Sequence, residues 1–306
     1  MTTTEKFKKL IILTGPTCSD KTTNSFYLAK YFNSEIICAD SMHVYDSFDI
    51  GTGKPSKDQQ KEIKYHLIDI IKPYESYDAW RFMHDSRKII NDSEKSFFII
   101  SGGTQLYIDA LLNGLTEGIG KNDSLRDQFK KRIDQYGLEN LYNELNEIDQ
   151  DCARKISRND KNRIIRFLEI FYITKTKPSV FMSSSKKMGF KNIKYIKLSL
   201  DIPKKDLDSL IEERVYFMID RGLLKEAERI ISKYGDKIKP IQSIGYSEIA
   251  YYLQGKLSYE EAIGKIIVNT RRLAKRQLTW MRKDKEVYWC KDLNEIIEKS
   301  NEFYSS

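Results

Sequence analysis

The 306-residue sequence has little cysteine and no long apolar run. Its four cysteines, Cys18, Cys38, Cys152 and Cys290, lack paired spacing, so neither a disulfide framework nor a cysteine-based zinc site is predicted. No segment approaches the roughly 20 apolar residues of a membrane-spanning helix, and residues 1–9 lack the apolar core of a signal peptide. We therefore expect a protein of the reducing cytoplasm that has no membrane partner.

A strong excess of one charge is also absent. The sequence contains 52 Lys and Arg against 44 Asp and Glu, which gives a formal charge of +8. This balance permits a polyanionic partner without requiring one. Hydrophobic residues make up 40% of the chain, which is enough for a buried core. At this length we expect one large domain or two.

The first motif with a chemical meaning follows an apolar run near the N-terminus. Residues 10–13 predict a buried strand, and Gly15 and Pro16 end it. A helix-like segment, residues 23–32, comes next. A strand, a tight loop and a helix form the geometry of a phosphate-binding loop, because the loop amides and the helix dipole both favour an anion there.

Within this loop, Lys21 and Thr22 are residue types that bind phosphates and magnesium. The lysine would reach the phosphates as a point charge, and the threonine hydroxyl would face a Mg²⁺ ion. The pattern requires glycine before the lysine, and this chain has Asp20 instead. From the loop alone, an incidental strand, turn and helix remains an alternative.

Two more predicted strands end in polar residues. Residues 35–39 lead to Asp40 and Ser41, and residues 97–100 lead to a turn with Thr104. Ligands of open α/β sheets bind at the carboxyl ends of the strands, so these side chains are expected to face the phosphate loop. Asp40 is there a candidate general base or ligand of magnesium-bound water, with a helix cap as the plain alternative. Three such units indicate a parallel sheet covered by helices.

The middle of the chain has only helical patterning, from residue 124 to residue 173. A polar stretch with a proline, residues 175–191, is predicted to be flexible, and residues 195–200 return to strand character. We therefore predict an α/β fold, a P-loop NTPase-like parallel sheet flanked by helices, with an inserted all-helical subdomain and a helical C-terminal part. Later helices are predicted at residues 204–220, 223–233, 246–253 and 258–282. The predicted domains are 1–117 for the first part of the P-loop core, 118–193 for the inserted helical subdomain, and 194–306 for the completion of the core and the C-terminal basic helices.

Two segments are rich in basic residues. Arg163 and Arg166 are three residues apart on one predicted helix and share a face, which suits either solvent or phosphates. Residues 270–282 are the most basic segment and include an aromatic side chain. This composition favours contact with a nucleic acid backbone over a packed helix with a charged back.

Seven motifs follow one another in the chain: GPTCSDKT, ADSMHVYDSFDIGTGKP, HLID, GGTQLYI, NDKNRIIRFLE, IGYSE and TRRLAKRQLTW. In this order they resemble the tRNA dimethylallyltransferase family, also called tRNA isopentenyltransferases. The resemblance covers residues 9–289. A phosphate loop is common, but DSMxVY followed by DIGTxKP, with a late TRRLAKRQxTW, is not shared with ordinary kinases.

The resemblance implies transfer of a prenyl group from dimethylallyl diphosphate to the exocyclic amine of the adenine just 3′ of the anticodon in tRNA. Asp40 matches the general base, Thr17 a hydroxyl near the bridging oxygen, and Arg214 an arginine that contacts the diphosphate. Magnesium would bridge the phosphates and Thr22. The diphosphate cradle would consist of Gly15, Pro16, Thr17, Cys18, Ser19, Asp20, Lys21 and Thr22. Contacts with the tRNA anticodon stem-loop are implied at Asp40, Ser41, Met42, His43, Thr104, Arg126, Asn162, Arg163, Ile164, Ile165, Arg166, Gln242, Ser243, Ile244, Gly245, Tyr246 and Ser247, and on the basic helix at Arg271, Arg272, Lys275 and Arg276.

The sequence departs from the family pattern at five positions. Asp20 replaces the loop glycine, His43 stands where glutamine is usual, and Asp46 stands where lysine or arginine is common. Gln105 replaces a common glycine, and Ser247 takes a place that is often basic. No cysteine–histidine zinc module follows the core, unlike in eukaryotic members.

Three alternatives to an active tRNA prenyltransferase remain at this point. A degenerate member would bind tRNA without transfer, because an unscreened carboxylate about 4 Å from a phosphate charge costs several kcal/mol at an effective dielectric of about 20. A nucleotide kinase would not need the basic C-terminal helix. Relatives that prenylate free adenine nucleotides are expected to lack the helical insertion. We expect a monomer.

Overall fold

The computed structural model describes residues 7–116, 120–184 and 188–306. The chain divides into two compact units, one formed by Met1–Leu112 with Phe190–Ser306 and the other by Asn113–Gly189. The expected insertion boundary at residue 193 lies four residues after the end of the smaller unit. The other expected boundary, between residues 117 and 118, falls outside the described residues. Residues 1–6, part of the N-terminal segment that lacks the apolar core of a signal peptide, also lie outside them.

The larger unit is built on a sheet in which each pairing between described strands is parallel. Its strands are β1 (Lys8–Leu13), β2 (Glu35–Cys38), β3 (Tyr65–His66), β4 (Phe97–Ser101), β5 (Ile193–Leu200) and β6 (Val287–Cys290). Their order across the sheet is β3-β2-β4-β1-β5-β6. The predicted α/β class with a parallel sheet is confirmed.

The central strands are apolar because both of their faces are covered. Leu10, Ile11 and Ile12 have no exposed surface, and every residue of β4 is buried. Strands of this kind read as continuous apolar runs in the sequence. In the register of the sheet, Leu13 and Cys38 both lie opposite Ser101. The loops that follow β1, β2 and β4 therefore open at the same edge.

In the described residues, four helices accompany the first four strands of the larger unit. They are α1 (Lys21–Tyr31), α2 (Lys57–Glu62), α3 (Ala79–Asp92) and α4 (Gln105–Asn113). Helix α1 begins directly after the phosphate loop, two residues earlier than predicted. Helix α3 begins at Ala79. The reason is a cap, because the Asp78 carboxylate accepts a hydrogen bond from the Arg81 backbone N–H at 3.0 Å.

The described residues of the smaller unit form five helices around their own core. They are α5 (Asp123–Tyr136), α6 (Leu138–Ile148), α7 (Gln150–Arg154), α8 (Lys161–Thr174) and α9 (Pro178–Ser184). Phe129, Leu141, Leu145 and Leu168 are buried at its centre. The helical character predicted for residues 124–173 is confirmed.

The prediction of a flexible stretch at residues 175–191 is wrong for its first half, which forms α9. Proline suits the first turn of a helix because its missing N–H is not needed there, and Pro178 has that position. The next residue is fixed by the smaller unit itself, since the Asp149 carboxylate accepts a hydrogen bond from Ser179 N–H at 2.7 Å. Residues 185–187 of the stretch lie outside the described residues.

The C-terminal part of the larger unit is mainly helical. Its helices are α10 (Lys204–Asp220), α11 (Leu223–Tyr234), a 3₁₀ turn (Lys239–Gln242), α12 (Tyr246–Leu253), α13 (Tyr259–Met281) and α14 (Leu293–Ser305). The four predicted helices are confirmed to within one residue at each end. Strand β6 and helix α14 were not predicted. No helix in the described ranges is long and apolar enough to cross a membrane.

Candidate functional site

The loop between β1 and α1 is closed by its own polar atoms. The Ser19 hydroxyl donates a hydrogen bond to the Pro16 carbonyl at 2.8 Å. A Cβ atom at Gly15 would lie 2.5 Å from that hydroxyl oxygen, which is closer than side-chain carbons approach. The tight turn therefore leaves no room for a side chain at position 15 while Ser19 keeps this hydrogen bond, and it brings the loop close to the start of α1.

Asp20 occupies a left-handed backbone conformation, with φ 54° and ψ 27°. This conformation explains why the phosphate-loop pattern requires glycine at this place, because glycine adopts it without strain. Aspartate is among the few other residue types that visit it routinely. The Asp20 side chain is exposed, and its charge acts on Lys21 less than the charge of Asp40 does. Water around Asp20 thus weakens the repulsion that the sequence led us to expect.

Lys21 points back over the phosphate loop. Its Nζ donates a hydrogen bond to the Pro16 carbonyl at 2.5 Å and lies 3.4 Å from the Ser19 hydroxyl oxygen. Burial lowers the pKa of the Lys21 ammonium to about 8, and the nearby Asp40 carboxylate opposes that shift. An anion bound in the loop would raise the pKa again, because it favours the charged form.

The ends of β2 and β4 come close together beside the phosphate loop. The Met42 backbone N–H donates to Asp40 Oδ1 at 2.8 Å, and the Ser41 backbone N–H donates to Thr104 Oγ1 at 3.1 Å. A Cβ atom at Gly102 would lie 2.1 Å from the Ala39 carbonyl oxygen. Only glycine permits this approach of the two backbones.

These strand ends open into a cavity of about 1030 Å³. The cavity brings together residues of the phosphate loop, the ends of β2 and β4, helix α10, the segment before α12 and helix α13. Predicted site residues that line it are Thr17, Cys18, Asp20, Lys21, Thr22, Asp40, Ser41, Met42, His43, Thr104, Arg214, Gln242, Ser243 and Ile244.

Arg214 reaches the cavity from α10 and rests against the backbone of the loop that follows β2. A Cβ atom at Gly53, whose φ is +65°, would lie 1.7 Å from Arg214 Nη2. The guanidinium makes no hydrogen bond or ion pair with any described residue, and its charge acts on both Cys18 and Lys21. A cation held in this way beside the phosphate loop is suited to an anionic ligand.

Gln277 is a site residue that the sequence analysis missed. It lies on α13, where its Oε1 accepts a hydrogen bond from Thr17 N–H at 2.8 Å and its Nε2 donates to the Gly103 carbonyl at 3.0 Å. One side chain thus ties the basic helix to two of the loops around the cavity. The only signal for it in the sequence is its place within TRRLAKRQLTW.

Glu226 was also missed, and no motif points to it. Its carboxylate accepts hydrogen bonds from the backbone N–H groups of the loop after β2 and from the hydroxyl of Tyr246. Tyr246 itself has no exposed surface. Its predicted role as a tRNA contact therefore does not extend to its side chain, which belongs to the core. The adjacent Gly245 begins α12 with a φ of 95°, and Ser247 donates to Glu248 at 2.9 Å.

The predicted contacts at residues 126 and 162–166 lie in the smaller unit. Ile164 and Ile165 are buried in its core, so their side chains are not available to a ligand. Arg126 and Arg166 both bond to the buried carboxylate of Glu169, with distances of 2.6 to 2.9 Å. These bonds hold the pKa of Glu169 low, at about 2, against the effect of burial.

Two of the predicted tRNA contacts at the start of α8 have exposed side chains. They are Asn162 and Arg163, of which Arg163 pairs with Asp160 at 2.6 Å. On α13, Arg272, Lys275 and Arg276 are exposed. In contrast, Arg271 is bound to Asp208 and Glu212 of α10 and supports the packing of the two helices.

The chain is similar to proteins of known family. The model of a family described as IPP transferase matches residues 43–284. A tRNA dimethylallyltransferase of Hydrogenobaculum sp. (strain Y04AAS1) is 43% identical over 276 residues, covering 89% of this chain and 91% of the relative. The tRNA dimethylallyltransferase of Acetivibrio thermocellus is 37% identical over 303 residues, covering 96% of each chain.

The chain is also similar to solved structures of tRNA-modifying transferases. The full-length tRNA isopentenylpyrophosphate transferase of Bacillus halodurans superposes with a TM-score of 0.70 at 32% identity, covering 97% of this chain and 96% of that chain. A eukaryotic dimethylallyltransferase acting on tRNA superposes with a TM-score of 0.81 at 28% identity, covering 97% of this chain and 80% of that chain.

Proposed function

The chain belongs to the IPP transferase family, and we infer that it is a tRNA dimethylallyltransferase. It transfers a dimethylallyl group from dimethylallyl diphosphate to the exocyclic amine of an adenine in tRNA, forming isopentenyladenosine and releasing diphosphate. The observation that carries this conclusion is the convergence of Lys21, Asp40 and Arg214 on one cavity. That cavity offers an anion site and a carboxylate side by side, as the reaction requires.

The leaving group is stabilised by the phosphate loop and by two cations. As the bond between the allylic carbon and oxygen breaks, its electron pair passes to the diphosphate, which gains negative charge. The loop amides, Lys21 and Arg214 are fixed donors beside the place where that charge develops. Donors that are already in position stabilise the transition state without reorganisation. Thr17, in the same loop, would place its hydroxyl near the bridging oxygen.

Magnesium fits the site as a partner of the diphosphate. The described residues contain no group of three or more His, Cys, Asp or Glu side chains that would hold a metal. Mg²⁺ binds phosphate oxygens and water with few protein ligands, and the Thr22 hydroxyl at the start of α1 lines the cavity. When bound, the ion neutralises part of the charge on the diphosphate. We propose Thr22 as its protein ligand.

Asp40 is proposed to accept the proton of the adenine amine. One carboxylate oxygen, Oδ1, is oriented by Met42 N–H, and the other has no hydrogen-bond partner among the described residues. The amine nitrogen attacks the allylic carbon, a carbon–nitrogen bond forms, and a proton of the amine passes to the free oxygen of Asp40. A positioned base of this kind contributes about 10²- to 10⁴-fold to a rate.

The adenine must leave its stack to reach Asp40, at a cost of a few kcal/mol. We propose that the target is the adenine just 3′ of the anticodon, because sequence-specific readers of RNA act on single-stranded loops. Arg272, Lys275 and Arg276 on α13 are proposed phosphate contacts, and Asn162 and Arg163 on α8 are proposed as further ones. All of the reacting groups come from one chain, so a monomer suffices.

Product analysis tests this function. The purified protein is incubated with dimethylallyl diphosphate, Mg²⁺ and unmodified tRNA. The RNA is then digested, and its nucleosides are separated and identified by mass spectrometry. We expect isopentenyladenosine. Bound tRNA without product would support the degenerate tRNA-binding alternative. In a parallel incubation with ATP and a nucleotide acceptor, consumption of ATP would support a kinase.

A further inference from the structure

Glu226 is a buried carboxylate bound by neutral donors. It lies in the first turn of α11 with 6% of its surface exposed. It accepts hydrogen bonds from the backbone N–H groups of Asp49 at 3.2 Å, Ile50 at 3.0 Å and Gly51 at 3.2 Å. It also accepts one from the Tyr246 hydroxyl at 2.5 Å. No basic side chain of the described residues forms an ion pair with it.

Three consecutive amides that point at one carboxylate form an anion nest, which holds the backbone in a fixed shape. Tyr246 completes the nest, because its hydroxyl oxygen also accepts a hydrogen bond from Gly51 N–H at 3.1 Å. The tyrosine ring packs so closely that a Cβ atom at Gly51 would lie 2.4 Å from it. Glu226 and Tyr246 therefore fix the loop from two directions.

The loop that Glu226 fixes continues directly to the reacting groups. Gly53 lies directly against the Arg214 guanidinium, because a Cβ atom added at Gly53 would lie 1.7 Å from Arg214 Nη2. The carbonyl of Thr52 bonds to His43 Nε2 at 3.1 Å. Arg214 has no hydrogen bond or ion pair with any described residue, and the backbone at Gly53 is a surface that limits where its guanidinium lies.

We propose that Glu226 is a positioning residue for the transfer reaction. By holding residues 49–51 it sets the position of Gly53, and through Gly53 the place at which Arg214 meets the diphosphate. The proposal rests on the proposed function for the role of the diphosphate. This role differs from a general contribution to stability, because the effect of Glu226 on diphosphate binding depends on the Arg214 side chain.

A double-mutant cycle measures that dependence. Glu226→Gln keeps the shape of the side chain but removes the charge that the three amides require. Binding of inorganic diphosphate with Mg²⁺ is followed by calorimetry in the wild type, Glu226→Gln, Arg214→Ala and the double variant. We expect Glu226→Gln to weaken binding about tenfold, and to cause no further loss once Arg214 is absent. In steady-state transfer, KM for dimethylallyl diphosphate should rise while KM for tRNA stays unchanged.

Glu228→Gln is the matched control, because Glu228 is an exposed glutamate on the same helix. It should bind diphosphate like the wild type. If Glu226→Gln does not fold, as judged by circular dichroism, Tyr246→Phe replaces it. That variant removes one donor from the nest, and we expect it to weaken binding about threefold, again only when Arg214 is present.

Two results would overturn the proposal. One is unchanged diphosphate affinity in a folded Glu226→Gln protein. The other is an equal loss with and without Arg214, which would indicate a general structural effect. Because diphosphate binding is measured without tRNA, a failure of prenyl transfer in the wild type would count against the proposed function and leave this test intact.

Discussion

Replacing Asp20 with glycine tests the one position at which the phosphate loop departs from its pattern. The backbone effect is small, because relief of the left-handed conformation, φ 54°, gains about 1 kcal/mol and the extra freedom of glycine in the unfolded chain costs about as much. The charge effect is also limited. Asp20 is exposed, and two unit charges about 4 Å apart in bulk water interact by only about 1 kcal/mol.

We therefore expect Asp20→Gly to strengthen diphosphate binding by no more than about tenfold and to change the rate of transfer by a similar factor or less. Asp20→Asn is the matched control, because asparagine removes the charge and still tolerates the left-handed conformation. Calorimetry with inorganic diphosphate and a steady-state transfer assay measure both. A wild type that is inactive, with activity rising about a thousandfold in Asp20→Gly, would refute this reasoning. It would show that the carboxylate acts at the low effective dielectric of a buried site, where about 4 kcal/mol is at stake.

Three further predictions concern the other charged groups. Asp40→Asn should lower the transfer rate about 10²- to 10⁴-fold with tRNA affinity within twofold of wild type; a normal rate would remove Asp40 from the role of base. The contribution of Lys21 to diphosphate affinity should be constant below pH 8 and fall above it, up to about tenfold per pH unit, because the pKa of Lys21 is about 8 in the free protein and bound anion raises it. Calorimetry across pH 6.5–9.5 checks this, and Lys21→Met should flatten the profile. Affinity for tRNA should fall steeply with salt. The single variants Lys275→Ala and Arg276→Ala should each reduce the slope of log affinity against log salt by about 0.7 to 0.9. An unchanged slope would exclude the residue concerned as a phosphate contact.

The sheet was predictable because its central strands are buried on both faces. Residues 10–13, 35–39 and 97–100 carry unbroken apolar runs, and each observed strand overlaps them. Strand β6 was not predicted, since Val287–Cys290 is short and has two aromatic residues that are not buried. Helix α9 was not predicted, because a polar stretch that contains a proline does not indicate a helix, whereas Pro178 here lies in the first turn of one.

The site was predictable where the topology of the sheet determines it. Asp40 and Thr104 follow directly from the rule that ligands bind at the carboxyl ends of parallel strands. Arg214 was found only by resemblance, because no local pattern relates a residue of α10 to a loop 160 residues earlier. Glu226 and Gln277 had no such signal as individual residues. Apart from the Tyr246 hydroxyl, which bonds to Glu226, their partners are backbone groups at sequence separations of 174 to 260 residues. Backbone groups leave no trace in the identity of a side chain.

The central claim is that one cavity joins a departing diphosphate to an adenine of tRNA. The most direct measurement is a single-turnover reaction with protein in excess over unmodified tRNA, in which released diphosphate and isopentenyladenosine are both quantified and the modified position is located by mass spectrometry of RNA fragments. We predict equal amounts of the two products, with the modification on the adenine just 3′ of the anticodon and none when that adenine is replaced by guanine. Diphosphate released without a modified adenine, or tRNA that stays bound and unmodified, would contradict the account.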